Sequence, residues 1–128
     1  MINFREFTTS SKKQVLAGKS AQNNEDLIAQ VEPTEDVFHT EAPGSSFVNI
    51  KSTKTNKVDR YEAATFCAAF SQTFRDNQND TIVHHFKGSD ITKSKLMKLG
   101  TFKVKKFKTI KVKKADILKI KQWKQIFK

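Results

Sequence analysis

The chain has 128 residues, of which 37% are hydrophobic and 29% charged, enough for one domain with a tail but not for two separate cores. Twenty-four Lys and Arg against thirteen Asp and Glu give a net charge of +11, which favours a polyanionic partner, nucleic acid first. A single Cys67 and three His exclude an internal disulfide framework and a cysteine-rich zinc site, and no apolar run approaches the roughly 20 residues that cross a bilayer.

The charge is unevenly distributed along the chain. Residues 1–48 have a net charge of −3, whereas residues 87–128 contain fifteen Lys and only two carboxylates. The first third also contains clusters of Ser, Thr, Pro and Gly that interrupt regular structure. We therefore expect residues 1–46 to be a low-structure acidic N-terminal arm or linker, and residues 47–128 to be a basic DNA-binding domain.

Three elements are predicted between residues 20 and 76. Apolar residues at helical spacing predict a short helix over residues 20–31, and Phe47 to Ile50 has the composition of a short strand. The best-defined helix runs from Asp59 to about Asp76, because Asp59 and Glu62 have the spacing of a capping box and no Gly or Pro follows.

Aromatic residues repeat along this predicted helix. Phe66, Phe70 and Phe74 recur every four residues, with Ala63 and Cys67 beside them. Such a stripe can stack bases, but its helical period favours a core face, joined in the core by Trp123 and Phe127 of the last helix. The same placement favours Cys67 as a buried small residue over a nucleophile.

A strand predicted over residues 81–86 contains two adjacent histidines, His84 and His85, one facing inward and one outward. Metal-dependent nucleases place a His near a strand end, but this chain has no further His or Asn after Phe86. It also lacks the carboxylate and lysine spacing of restriction-type nucleases and a Gly-rich phosphate loop. We therefore expect a non-enzymatic binding protein without metal or cofactor.

The basic third is predicted to contain a helix, a hairpin and a second helix. Ser89 and Asp90 are suitable caps for a short basic helix over Ile91 to Leu99, which Gly100 would end. The period then changes to two, which predicts a β-hairpin whose strands carry Lys on one face. Asp116 opens the terminal helix, from Ile117 to about Phe127.

The alternating lysines project ammonium groups at roughly 7 Å spacing, which suits contact with phosphates by counterion release. Lysine is a point charge that reads guanine poorly, so sequence preference would come from the helix or from DNA shape. The predicted DNA-binding residues are Thr92, Lys93, Ser94, Lys95, Lys98, Lys103, Lys105, Lys106, Lys108, Lys111, Lys113 and Lys114.

Two stretches resemble known proteins. The run from Leu96 to Gly100, the basic strand Ile110 to Lys114, and Ala115-Asp116-Ile117 with Trp123 resemble, over residues 96–123, the wing region of excisionase and MerR-like winged-helix DNA-binding domains. The resemblance implies that the wing lysines lie on DNA phosphates while a nearby helix enters the major groove. The family's reading helix lies around and after the Leu-Gly step, where this chain begins a strand pattern instead.

The N-terminus, Met1-Ile2-Asn3-Phe4-Arg5-Glu6-Phe7, resembles the first residues of small tailed-phage proteins. The resemblance implies a phage or phage-satellite origin and a location in the host cytoplasm or the virion. We therefore expect an α+β, small winged-helix-like domain that binds double-stranded DNA, as a dimeric transcriptional repressor or as a DNA-binding module without its nuclease.

Two alternatives stay open. One is a phage or satellite capsid accessory or scaffolding protein that contacts coat protein or packaged DNA, which would use the N-terminal arm. The other is RNA or ribosome binding, which ranks lower because the aromatic residues are assigned to the core and not to an exposed stacking platform.

Overall fold

The computed structural model describes residues 3–94 and 96–126, and the backbone alone for residues 121–126. The strands are β1 (Arg5–Thr8), β2 (Gln14–Ala17), β3 (Asp36–Thr40), β4 (Val48–Ile50), β5 (Thr81–Lys87), β6 (Ile91–Thr92), β7 (Lys103–Val104) and β8 (Lys108–Val112). The helices are α1 (Ala21–Ala29), α2 (Lys57–Ala69), α3 (Gln72–Asn77) and α4 (Lys114–Ile126). Six strands form one antiparallel sheet in the order β1-β2-β4-β3-β5-β8, and β6 and β7 form a separate pair. This confirms the predicted α+β class.

The low-structure arm expected over residues 1–46 was a wrong prediction, because three sheet strands and α1 lie in this segment. Strand β3 is buried along most of its length and pairs directly with β4, with Phe38 opposite Val48. The boundary expected after residue 46 falls between these two paired strands. Strands of four or five residues are too short to show a clear period, and their charged neighbours lie in the connecting turns.

Helices α2 and α4 cover one face of the sheet and form its larger core. The predicted stripe packs there, with Phe66 on α2 stacked on Phe7 at a centroid distance of 5.1 Å, and with Phe70 and Phe74 beyond the end of α2 in the same cluster. From α4, Ile117 and Ile120 are buried in the same core. Phe127 lies outside the described residues, as does the side chain of Trp123, so the structure leaves their predicted core role open.

The helix predicted from Asp59 to Asp76 is two helices. Asn56, not Asp59, caps α2, and Asp59 occupies the third position of the capping box. After Ala69 the chain turns, and the Ser71 hydroxyl accepts the amide hydrogen of Phe74 to begin α3. The serine is a second cap inside an otherwise helical pattern, which the hydrophobic period alone does not reveal.

The opposite face of the sheet is covered by α1 and by the β6–β7 pair. Phe102 meets Phe47 edge to face at 5.3 Å, and Ile91 and Val104 pack against the same cluster. The basic helix expected from Ile91 to Leu99 is therefore a strand followed by turns. A helix there would have no core to face, since Leu96 is 97% exposed.

The two lysine-bearing strands exist but do not form the predicted hairpin. Strand β7 pairs with β6, while β8 pairs with β5 at the edge of the large sheet. The winged-helix arrangement is thus not confirmed. Short strands carry no mark of their partner, and here the apolar residues beside β7 assign it to the second face.

Replacing Phe66 by Ala is expected to lower the free energy of unfolding by about 3 to 5 kcal/mol, because this side chain is 5% exposed and fills the larger core. Val58 on the same helix is 58% exposed, and Val58→Ala should change stability by no more than about 0.5 kcal/mol. Urea unfolding of both variants measures the difference. Equal effects at the two positions would contradict this packing.

Candidate nucleic-acid interface

The open edge of the large sheet carries most of the exposed lysines of the basic third. Strand β8 pairs with β5 on one side and ends the strand order on the other. We call this strand and its flanks the β8 basic edge; its residues are Lys105, Lys106, Phe107, Lys108, Lys111, Lys113 and Lys114, and all are exposed.

The charge of the β8 basic edge is largely uncompensated. Among the residues that the structure describes, only Lys111 of its six lysines has a carboxylate within 4.0 Å, Asp80 at 3.8 Å. Both groups of that pair are exposed, so the attraction is weak. An edge of this kind repels another strand and attracts an extended polyanion.

The lysines surround the strand instead of sharing one face. The register places Lys108 opposite His85 and Lys111 opposite Ile82, so these two lysines point to opposite faces of the sheet. The end of the strand is fixed by Tyr61, whose hydroxyl donates to Asp116 at 2.6 Å and accepts the amide hydrogen of Lys113 at 3.1 Å. The β8 basic edge therefore carries positive charge on both faces of the sheet, where it can meet a polyanion that runs along the edge.

An exposed aromatic ring lies within these lysines. Phe107 stacks on His84 with a centroid distance of 3.8 Å and an angle of 14° between the ring planes. Its residue surface is 48% exposed, and Glu41 Oε2 lies 3.4 Å from His84 Nε2 behind it. Phe107 was not among the predicted contact residues, although a Phe among Lys neighbours, out of phase with the strand pattern, was the available signal.

Several predicted contact residues instead hold the β6–β7 connection together. The Lys93 ammonium binds Glu25 Oε2 at 2.7 Å and donates to the carbonyls of Lys98 and Thr101. The hydrogen bonds from Lys93 and from the backbone of Gly100 lower the pKa of Glu25. Lys93 thus joins the β6–β7 connection to α1 through Glu25, and its role as a DNA contact stays a prediction.

Of the other predicted residues in this segment, two have hydroxyl groups that are hydrogen bonded within it, and two are lysines with exposed side chains. The Thr92 hydroxyl donates to the carbonyl of Lys103 at 3.2 Å, and the Ser94 hydroxyl accepts the amide hydrogen of Leu96 at 3.1 Å. The side chains of Lys98 and Lys103 are exposed. Lys95 lies outside the described residues. These positions are not joined on one helical face, because the expected helix is absent.

The two adjacent histidines lie on opposite faces of β5, as predicted. His85 stacks on Phe38 at 4.8 Å and shares a hydrogen bond of 2.7 Å with Asp36 Oδ1. Lys87 Nζ and the Thr55 hydroxyl also bind Asp36, at 2.7 and 2.6 Å. Burial alone would raise the pKa of this carboxyl, but the hydrogen bonds from His85, Lys87 and Thr55 lower it well below its usual range.

The remaining reactive side chains are enclosed in the fold. Burial raises the pKa of the Cys67 thiol to about 12, which agrees with the expected structural cysteine. Burial also lowers the pKa of His39, which packs on Phe47 at 4.5 Å. Within residues 3–94 and 96–126, no three His, Cys, Asp or Glu side chains come together as a metal site.

None of the helices in the described part of the chain is long and apolar enough to cross a membrane.

An antiparallel α+β fold with an exposed cationic edge defines a class of domain suited to binding polyanions. The family model described as "NFACT protein RNA binding domain" matches residues 3–106. The chain belongs to this family and is therefore a nucleic-acid-binding domain. A comparison with curated proteins finds no match.

A similar solved structure is the C-terminal part of the fibronectin/fibrinogen-binding protein from Streptococcus suis. The TM-score is 0.81 at 20% identity, and the match covers 91% of this chain and 48% of that one. The chain thus spans about half the length of that structure, and at this identity the likeness shows the fold alone.

The family match contradicts both resemblances noted in the sequence. Residues 96–123 are not the wing region of an excisionase or MerR-like domain, and Met1 to Phe7 does not indicate a phage protein. Both resemblances rested on short local patterns, and here the basic strand and following helix are a sheet edge and α4. A phage repressor is not supported, while binding to double-stranded DNA or coat protein and dimer formation stay untested predictions.

Asp36→Asn is expected to lower stability at pH 7 by about 2 to 4 kcal/mol, because the carboxylate is 2% exposed and accepts three hydrogen bonds. The pKa of Asp36 is lowered by folding, so its contribution is present above the unfolded pKa of about 4 and is lost as the pH falls below that value. Unfolding curves from pH 7 to pH 3 should therefore show the two proteins converging only below about pH 4.

The control is Glu41→Gln, which alters the exposed carboxylate beside the other histidine and should have little effect. A gap between wild type and Asp36→Asn that stays constant down to pH 3 would show that the buried charge does not stabilise the fold.

Proposed function

We propose that this chain is a non-catalytic RNA-binding domain whose β8 basic edge contacts the phosphate backbone. One observation carries the proposal: six exposed lysines lie on and beside one edge strand, and five of them have no carboxylate partner among the described residues. Membership of a family described as an RNA-binding domain supports RNA as the polyanion.

The chemistry of the edge favours backbone contact over base reading. Lysine offers a compact charge that neutralises a phosphate but lacks the planar fork with which Arg recognises guanine. The helix that would have entered a DNA major groove is a strand and a turn instead, at Ile91 to Leu99. We expect binding that depends strongly on salt and weakly on sequence.

The absence of catalysis is part of the proposal. The Cys67 thiol is buried with a pKa of about 12, and His85 is engaged with Asp36 on the helix-covered face. His85 lies opposite Lys108, but its ring is stacked on Phe38 and bound to Asp36, and His84 supports Phe107; these engagements favour binding without catalysis.

The test replaces two lysines of the edge, Lys106 and Lys108, by Gln in the full chain. Binding of a labelled 12-nucleotide oligouridylate is followed by fluorescence anisotropy between about 50 and 200 mM KCl. We expect weaker binding and a salt slope reduced in magnitude by about 1.4, since each lost phosphate contact on a single strand removes about 0.7.

The matched control is the double variant Lys12→Gln with Lys19→Gln. These lysines are also exposed, but they flank β2 near the far edge of the sheet. The control removes the same charge and should leave the slope unchanged. An equal loss of affinity in both variants would show that binding depends on net charge alone and not on the β8 basic edge. No binding by wild type at low salt would overturn the RNA proposal.

A further inference from the structure

We infer that the Phe107–His84 pair is a stacking platform for an unpaired nucleobase, so that the β8 basic edge selects single-stranded over double-stranded RNA. This inference rests on the proposed RNA binding and adds the form of the RNA and the residue that distinguishes it. It does not follow from the lysines, because they bind the phosphates of either form.

The geometry of Phe107 is unusual for an exposed phenylalanine. Phe107 is 48% exposed, although water solvates an apolar ring poorly. Its ring lies nearly parallel to the His84 imidazole, with the two centroids 3.8 Å apart. His84 covers one face of the ring, so the exposed surface belongs to the remaining face and the edges. A flat ring with one supported face is the form on which nucleobases stack.

The platform is ordered before any ligand arrives. His84 is in the middle of β5, between His39 of β3 and Thr109 of β8, and Glu41 approaches its ring at 3.4 Å. A ring supported in this way has little freedom to lose on binding, so the stacking energy is retained as affinity.

The charges beside the ring fit a nucleic-acid strand. Lys106 and Lys108 are the immediate neighbours of Phe107, and Lys105 and Lys111 follow on either side. A strand whose phosphates follow these lysines would bring its bases within reach of the ring. In a duplex every base is already stacked and paired, so only an unpaired base can occupy the platform.

The test compares Phe107→Ala, Phe107→Leu and Phe107→Trp in the full chain against a 12-nucleotide oligouridylate and a 12-base-pair RNA duplex. Phe107→Ala and Phe107→Leu should weaken binding of the single strand about tenfold, while Phe107→Trp should keep it, because only an aromatic ring stacks. Duplex binding should not change. The salt slope should also stay at the wild-type value, since no phosphate contact is lost.

Leu99→Ala serves as the matched control, because Leu99 is another exposed apolar side chain, on the β6–β7 connection. It should leave both affinities unchanged. A similar loss for Leu99→Ala and Phe107→Ala would assign the effect to general hydrophobicity and overturn the inference.

The two proposals fail differently. If the single strand is bound with a salt slope that depends on Lys106 and Lys108 but Phe107→Ala binds it within twofold of wild type, RNA binding stands and the platform is wrong. The platform is also wrong if the duplex loses as much as the single strand. If wild type binds neither RNA, both proposals are overturned.

Discussion

Strand β5 is the element on which the arrangement of the site depends. It is hydrogen bonded to β3 on one side and to β8 on the other, and its alternating side chains divide the chemistry of the molecule between two faces. His85 points to the face covered by α2 and α4 and binds Asp36, while His84 points to the opposite face and supports Phe107. A slip of one residue between β5 and β8 would leave both histidines in place, because β3 fixes their faces, but would move every lysine of β8 to the other face.

Three carboxylates of the first third are engaged by groups within the fold. Asp36 accepts three hydrogen bonds, and Glu35 binds Lys51 at 2.7 Å. Glu25 accepts hydrogen bonds from the Lys93 ammonium and from the backbone of Gly100. These carboxylates stabilise the connections between elements and do not screen the β8 basic edge. The segment that was expected to be a low-structure acidic arm is thereby part of the domain itself.

The sequence predicted the elements whose signal is local and periodic. The core stripe of α2, strand β5 and the lysine alternation of β8 were all visible as spacings of apolar and charged residues. Partners in the sheet, the role of Lys93 and the stack of Phe107 on His84 were not, because each depends on residues far apart in the chain. Leu99 and Gly100 have the pattern of a helix end, but Gly100, with φ +81°, lies in a turn where an added side chain would clash with Ala21.

The two outer edges of the large sheet differ in their number of cations. Strands β1 and β2 form the edge opposite β8, and residues 5–19 carry four basic residues and one carboxylate, fewer cations than the six lysines of the β8 basic edge. Such a molecule has a permanent dipole moment that turns it in the field of a polyanion before contact. A larger fraction of collisions then begins with the cationic edge leading, and the association rate constant should fall with ionic strength more steeply than net charge alone requires.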